Sequence, residues 1–130
     1  MAGREILIKN VAQAIPLYVM SCFKIPANII HSIESMLANF WWGGQGNNQK
    51  IHWCSWPKLN QPKKEGGMGF RNLSAFNEAM LAKQGWRLVI DNSSLLARSM
   101  KARYYSNSDF LATTLHGNPS FSWRSIVGAR

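Results

Sequence analysis

Cationic side chains interleaved with flat aromatic ones occupy residues 43–72: Lys50, Trp53, Trp56, Lys58, Lys63, Lys64 and Arg71. Lysine and arginine neutralise phosphate, and bases stack on aromatic faces, so single-strand binders use this combination. Trp53 and Trp56 read first as core anchors that tie an irregular segment to the helices, because large aromatics dominate cores. For the lysines, a solvated surface and a phosphate contact are equal readings. A second basic set has helical spacing. Lys83 and Arg87 are four apart, Arg98 and Lys101 three apart, and Arg103 stands beside Tyr104 and Tyr105. Like charges on one helix face repel unless an anion sits between them, and phosphates are suitable anions. Asp91, four past Arg87, is a local neutraliser, and an exposed helical face is the equal alternative.

Other chemistries find little support. Cys54 and His52 would share one face of a strand, with Cys22 and His31 upstream. Zinc sites come in close-spaced pairs, and no Cys-x-x-Cys occurs, so no metal is expected. Gly67-x-Gly69 lacks the third glycine of a dinucleotide fingerprint, and no glycine cluster continues as Gly-Lys-Ser/Thr. His31, His52 and His116 are available as bases, yet no nucleophile elbow surrounds any serine. The six acids, Glu5, Glu34, Glu65, Glu78, Asp91 and Asp109, are scattered along the chain. Two-metal phosphoryl chemistry needs clustered carboxylates. No catalytic residue and no cofactor is expected.

The elements that must position the cationic groups follow from periodicity. Ile6, Leu7, Val11, Ala14 and Ile15 predict an amphipathic helix over Arg4 to Ala14, kinked or restarted at Pro16 and running on to about Phe23. Pro26 suits the first turn of the next helix. Ile29, Ile30, Ile33, Met36, Leu37, Phe40 and Trp41 mark its expected buried stripe, and Gly43-Gly44 its stop. Lys50 to Trp53 suggests a short strand, and Ser55 a cap for one turn carrying Trp56 and Leu59. Gly66-Gly67-Met68-Gly69 predicts a tight turn. Asn72 or Ser74 caps a helix to about Ile90 with Leu73, Phe76, Met80 and Leu88 on one side. Gly85 within that helix marks close approach by another backbone. Ser93 caps a helix from Ser94 to about Tyr104. Asp109 to Leu115 suggests a short helix, and Ser120 to Val127 a last one.

With 130 residues, one domain is expected. Hydrophobic residues are 46%, enough for a core, and the net charge is +9. Few charges with a strong basic excess favour a polyanionic partner. Two cysteines cannot make a disulfide scaffold. No basic-then-apolar leader opens the chain, and the longest apolar stretch, Val11 to Phe23, is too short and broken to span a bilayer. The expected location is intracellular, the nucleus included, with no membrane partner.

Taken in order, these residues resemble a family. The stretches are Leu7-Ile8-Lys9-Asn10-Val11 and Ser21-Cys22-Phe23-Lys24-Ile25-Pro26, then Phe40-Trp41-Trp42-Gly43 and Trp56-Pro57-Lys58-Leu59. Pro62-Lys63-Lys64-Glu65-Gly66-Gly67-Met68-Gly69-Phe70 follows, with Leu81-Ala82-Lys83-Gln84, Lys101-Ala102-Arg103-Tyr104 and Ser122-Trp123-Arg124-Ser125-Ile126 after it. The chain resembles the segment after the polymerase core in plant LINE-type (non-LTR) retrotransposon reverse transcriptases. Asn60 stands where many members have Cys, and Met68 where Leu is commoner.

The resemblance implies a helical thumb and connector that holds the template–primer duplex. The family's catalytic acids lie upstream of this region and its RNase H domain downstream. The chain is therefore expected to be a non-catalytic polymerase fragment or a stand-alone relic.

The expected fold is mainly α and thumb-like: helices over 1–42, a Gly/Pro-rich basic–aromatic insert over 43–72 (irregular or a β-hairpin near 43–70), and helices over 73–130. The long apolar stripes should converge on one core. The expected partner is an RNA–DNA hybrid or other nucleic acid, bound without sequence preference. Lys58, Lys63, Lys64, Arg71, Lys83, Arg87, Arg98, Lys101 and Arg103 should make the contacts. Docking to a missing polymerase core, or self-association through apolar surface the core would cover, is the competing role.

Overall fold

A computed structural model describes residues 2–44 and 50–130. The chain is mainly α, and no strand occurs among the described residues. Its helices are α1 (Ala2–Leu7), α2 (Leu17–Cys22), α3 (Ala27–Trp41), α4 (Trp56–Asn60), α5 (Leu73–Ile90), α6 (Leu95–Tyr104) and α7 (Phe121–Gly128). They divide between two compact units. The first comprises Met1–Tyr18 and Ile25–Phe76, the second Val19–Lys24 and Asn77–Arg130. None of the described helices is long and apolar enough to cross a membrane.

In the first unit α1 passes directly into a single π-helical turn, Ile8–Ala12. The wider turn changes which residues face inward. Ile8 and Gln13 are fully buried, whereas Ile6, Leu7, Val11 and Ile15 of the expected buried stripe are exposed or, at Ile15, three-quarters exposed. Gln13 closes a two-point amide pair: its Nε2 donates to the Arg71 carbonyl and its Oε1 accepts from the Arg71 N–H, both at 3.1 Å.

Helix α3 starts after Pro26 and stops at Gly43 (φ 82°), as its sequence predicts. The Gly43 N–H donates to Phe40 and the Gly44 N–H to Asn39, the two bonds of a Schellman stop. The Arg4 guanidinium packs 3.1 Å from where a Gly43 side chain would begin, a cation at the negative end of α3. Ile30, Leu37 and Trp41 face the core, but Ile29, Met36 and Phe40 are exposed. The predicted stripe thus merges two faces of α3, of which one is buried.

The segment after α3 corrects the strand expectation. Lys50 to Trp53 is irregular, and residues 45–49 of the predicted insert lie outside the described residues. From α4 onward the backbone closes on itself without strand pairing. After a 3₁₀ turn at Lys63–Glu65, Met68 and Phe70 donate to the Leu59 carbonyl and Gly69 to that of Gln61. Gly66 (φ 90°) and Gly69 (φ 70°) take the left-handed conformations this return needs. Gly67 is required for a different reason: a Cβ there would lie 2.0 Å from the Gln61 carbonyl oxygen. Phe70 is thereby delivered to the core, stacked on Trp56 at 5.1 Å and edge-on to Trp41 at 5.2 Å.

The second unit packs Leu81, Leu88, Ala97, Tyr105, Phe110, Trp123, Ile126 and Val127 into one core. Trp123 stacks against Tyr104 (4.7 Å) and Tyr105 (5.5 Å), and Phe110 meets it edge-on. The Phe110 ring, not another backbone, fills the notch at Gly85, 3.0 Å from a would-be Cβ. The inward line of α5 is Leu73, Asn77, Leu81, Gly85 and Leu88, while Phe76 and Met80 are half-buried on its flank. Asn77 is buried and donates to the carbonyls of Met20 and Phe23, satisfying the last turn of α2. Ser122 donates to the Cys22 carbonyl, and the Lys24 N–H donates to Ser125 Oγ.

The Asn72 side chain caps α5, accepting from Ala75 N–H. Ser94, one residue beyond the predicted Ser93, caps α6, and Ser120 caps α7 as predicted. Ser93 is instead bonded to Asp91. Asp109 to Leu115 forms turns rather than the expected helix, because Arg130 binds the Phe110 and Thr113 carbonyls that a helix would have used internally. Leu73 belongs to the first unit and Leu81 to the second, so the apolar stripes serve two compact units rather than one core.

Candidate nucleic-acid interface

Each of the nine cationic side chains picked out from the sequence is exposed. The first unit presents Lys58 on α4, Lys63 and Lys64 on the 3₁₀ turn, and Arg71 at the end of the glycine-rich return. The guanidinium of Arg71 lies 4.6 Å over the Phe76 ring, and its backbone is clamped by Gln13, so this cation is the most firmly positioned of the four. Lys63 is the one of the nine with a carboxylate partner within 4 Å among the described residues: its Nζ stands 2.9 Å from Glu5 Oε1. Lys9 reaches the same oxygen at 2.9 Å. Hydrogen bonds from Lys63 and then Lys9 hold the Glu5 carboxyl below its ordinary pKa.

The second unit presents Lys83 and Arg87 on α5, and Arg98, Lys101 and Arg103 on α6. Arg87 lies within 3.5 Å of Gln84 Oε1 and acts on Asp91 only weakly through its charge, since Ser93 supplies the main hydrogen bond that lowers the Asp91 pKa. Arg103 lies 5.4 Å over the Tyr104 ring. Lys101 lines a small hollow of about 260 Å³ with Asn92, Tyr105 and Asp109. The nine residues therefore form two sets, one in each unit.

Of the two tryptophans weighed as core anchors or stacking platforms, Trp56 is core and Trp53 is not. Trp56 is 8% exposed, Trp53 76%. Sequence alone could not separate them, because both sit in the same irregular, glycine-rich stretch.

A groove of about 630 Å³ in the first unit was not anticipated. It is lined by His31, Glu34, Ser35 and Asn39 of α3 and by residues 52–57. His52 Nε2 lies 3.0 Å from Asn39 Oδ1, and the His52 ring stacks on Trp42. Partial burial raises the Glu34 pKa, opposed by the charge of His31. A signal existed: His31, Ser35 and Asn39 recur every four residues, a polar line on an otherwise apolar helix. Among the described residues no three His, Cys, Asp or Glu side chains gather as a metal would require.

An Arabidopsis thaliana protein named "Uncharacterized mitochondrial protein AtMg00310" is 39% identical over 118 residues, which cover 90% of this chain and 77% of that protein. The chain belongs to that protein's family. A second relative in the same plant, named "Putative ribonuclease H protein At1g65750", is 34% identical over 132 residues. That match takes in 99% of this chain and 21% of the relative, so the chain spans about a fifth of that relative's length. No family model matches the chain, and no solved structure matches it.

Proposed function

We propose that the chain is a non-catalytic piece of a retrotransposon RNA-directed DNA polymerase, a thumb-like module that contacts the template–primer backbone. The observation that carries this reading is the exposure of all nine predicted cations, eight of them without a carboxylate within 4 Å among the described residues. Unpaired exposed cations are what phosphate contacts need, and they position a duplex without reading its sequence. The ordered resemblance to LINE-type polymerases supports the reading. So does a longer relative whose name includes ribonuclease H, within which this chain aligns almost end to end. The role needs no active site here, and the scattered acids suit that: primer extension with Mg²⁺ should be absent from the purified chain.

The test is a salt titration of binding to an RNA–DNA hybrid. A steep fall of affinity with salt is the expected result. Binding that ignores salt, or no binding at low salt, would overturn the reading.

Exposed apolar side chains favour a second role, docking to the rest of a polyprotein or to another copy. Leu7, Val11, Ile15 and Tyr18 lie on the first stretch, and Ile29, Met36 and Phe40 on the outer face of α3. Salt-insensitive association in sedimentation, without hybrid binding, would select this role over the first.

A further inference from the structure

We propose that the groove of the first unit takes one unpaired nucleobase bearing an exocyclic amine, with Trp53 as its stacking platform and Glu34 and Asn39 reading its edge. The inference rests on the nucleic-acid reading above and adds to it a site for a base, where the cations supply sites for phosphates.

The size of the groove, about 630 Å³, falls within the range of pockets that hold small organic ligands, about 300–1,000 Å³. Its lining decides between the parts of a nucleotide. No lysine or arginine lines it, and Glu34 does, so a phosphate is disfavoured there and an uncharged base is not. A carboxylate accepts N–H bonds, which guanine, cytosine and adenine offer from an amine and uracil does not. With His52 donating to Asn39 Oδ1, the Asn39 NH₂ group is left as the donor for a ring nitrogen or carbonyl of the same base edge.

The aromatic surface is at hand. Trp53 stands in the chain between His52 and Cys54, both groove-lining, and keeps three-quarters of its surface in water. A large indole left exposed marks a contact still to be made, and stacking on it is tolerant of sequence. Lys50 and Lys58, exposed on either side of this stretch in the chain, are placed for the flanking phosphates.

The experiment compares a blunt RNA–DNA hybrid with the same hybrid carrying a three-nucleotide unpaired tail, of cytidines or of uridines, by fluorescence anisotropy on the full chain. The cytidine tail should tighten binding about tenfold over the blunt hybrid, from one base stacked and hydrogen-bonded, and the uridine tail by clearly less. Trp53→Ala should return the tailed hybrid to the blunt value and leave the blunt value unchanged. Since Trp53 is outside the core, its loss should not unfold the chain, and circular dichroism checks this. Glu34→Gln, which can also donate to a carbonyl, should narrow the gap between cytidine and uridine tails. A tail that adds nothing, or a gain that survives both Trp53→Ala and Asn39→Ala, overturns the groove while hybrid binding leaves the proposed function standing. If not even the blunt hybrid binds, the nucleic-acid reading fails and takes the groove with it.

Discussion

Gly67 and Gly85 are both buried glycines, yet substitution should affect them differently. At Gly67 an added methyl would meet a backbone carbonyl oxygen at 2.0 Å, and backbone cannot step aside cheaply. Gly67→Ala should lower the melting temperature by several degrees, the effect of a few kcal/mol in a domain this size. At Gly85 the obstacle is the edge of the Phe110 ring at 3.0 Å, and the helix gains about 1 kcal/mol from alanine. Gly85→Ala should therefore change stability much less. The Gly66–Gly69 turn was legible in the sequence because positive φ has so few tenants. Gln13 and Asn77 were not legible. Each is a polar residue at a buried position, and only the fold reveals which carbonyls it serves. Asn77→Leu should cost about 2 kcal/mol or more in urea unfolding, since the Met20 and Phe23 carbonyls lose their donor. Glu5 sets a pH dependence. Its folded pKa is depressed by Lys63 and Lys9, so its contribution is present above the unfolded pKa and lost as pH falls through the folded one. Wild type should exceed Glu5→Gln in urea midpoint at neutral pH, and the two should meet at the acid end of a pH series.

Helix boundaries were legible where chemistry marks them. Pro26 and Gly43 bracket α3 as the sequence predicts, and Ser120 begins α7. Helix faces were legible only in part, because periodicity counts apolar residues without knowing how many partners a helix has. On α3 the residues Ile30, Leu37 and Trp41 are buried, and Ile29, Met36 and Phe40 form a neighbouring exposed line at the same spacing. On α1 the π-helical turn at Ile8–Ala12 altered a register that a 3.6-residue period assumes constant. The serine caps can be compared directly. Ser94→Ala should cost about 1 kcal/mol, the usual value for a lost N-cap. Ser120→Ala should cost more, because Ser120 Oγ also accepts from the Tyr104 hydroxyl at 2.9 Å. Thermal melts of the two single variants, followed by far-ultraviolet circular dichroism, would rank them.

Across the whole molecule the charge was legible as an amount and not as a distribution in space. Residues 43–72 looked like the natural grip, yet Lys63 in that stretch is engaged with Glu5, and its loss would leave that carboxylate to Lys9 alone. The two-unit division places one basic set in each unit, so neither set should carry all the salt dependence. Lys64→Ala with Arg71→Ala, and Lys101→Ala with Arg103→Ala, should each flatten the slope of log K against log salt by up to roughly 2. A slope moved by one pair and untouched by the other would assign the grip to a single unit. The glycine-rich return carries a consequence of another kind. Every single-base change that alters a glycine codon either ends the chain or installs a residue with a Cβ. At Gly67 each such replacement collides with Gln61, whereas the exposed lysines can drift without harm to the fold. In a copy freed from selection this codon should decay as fast as any other. An intact Gly67 across many diverged copies would then be a sign that folding itself is still being kept.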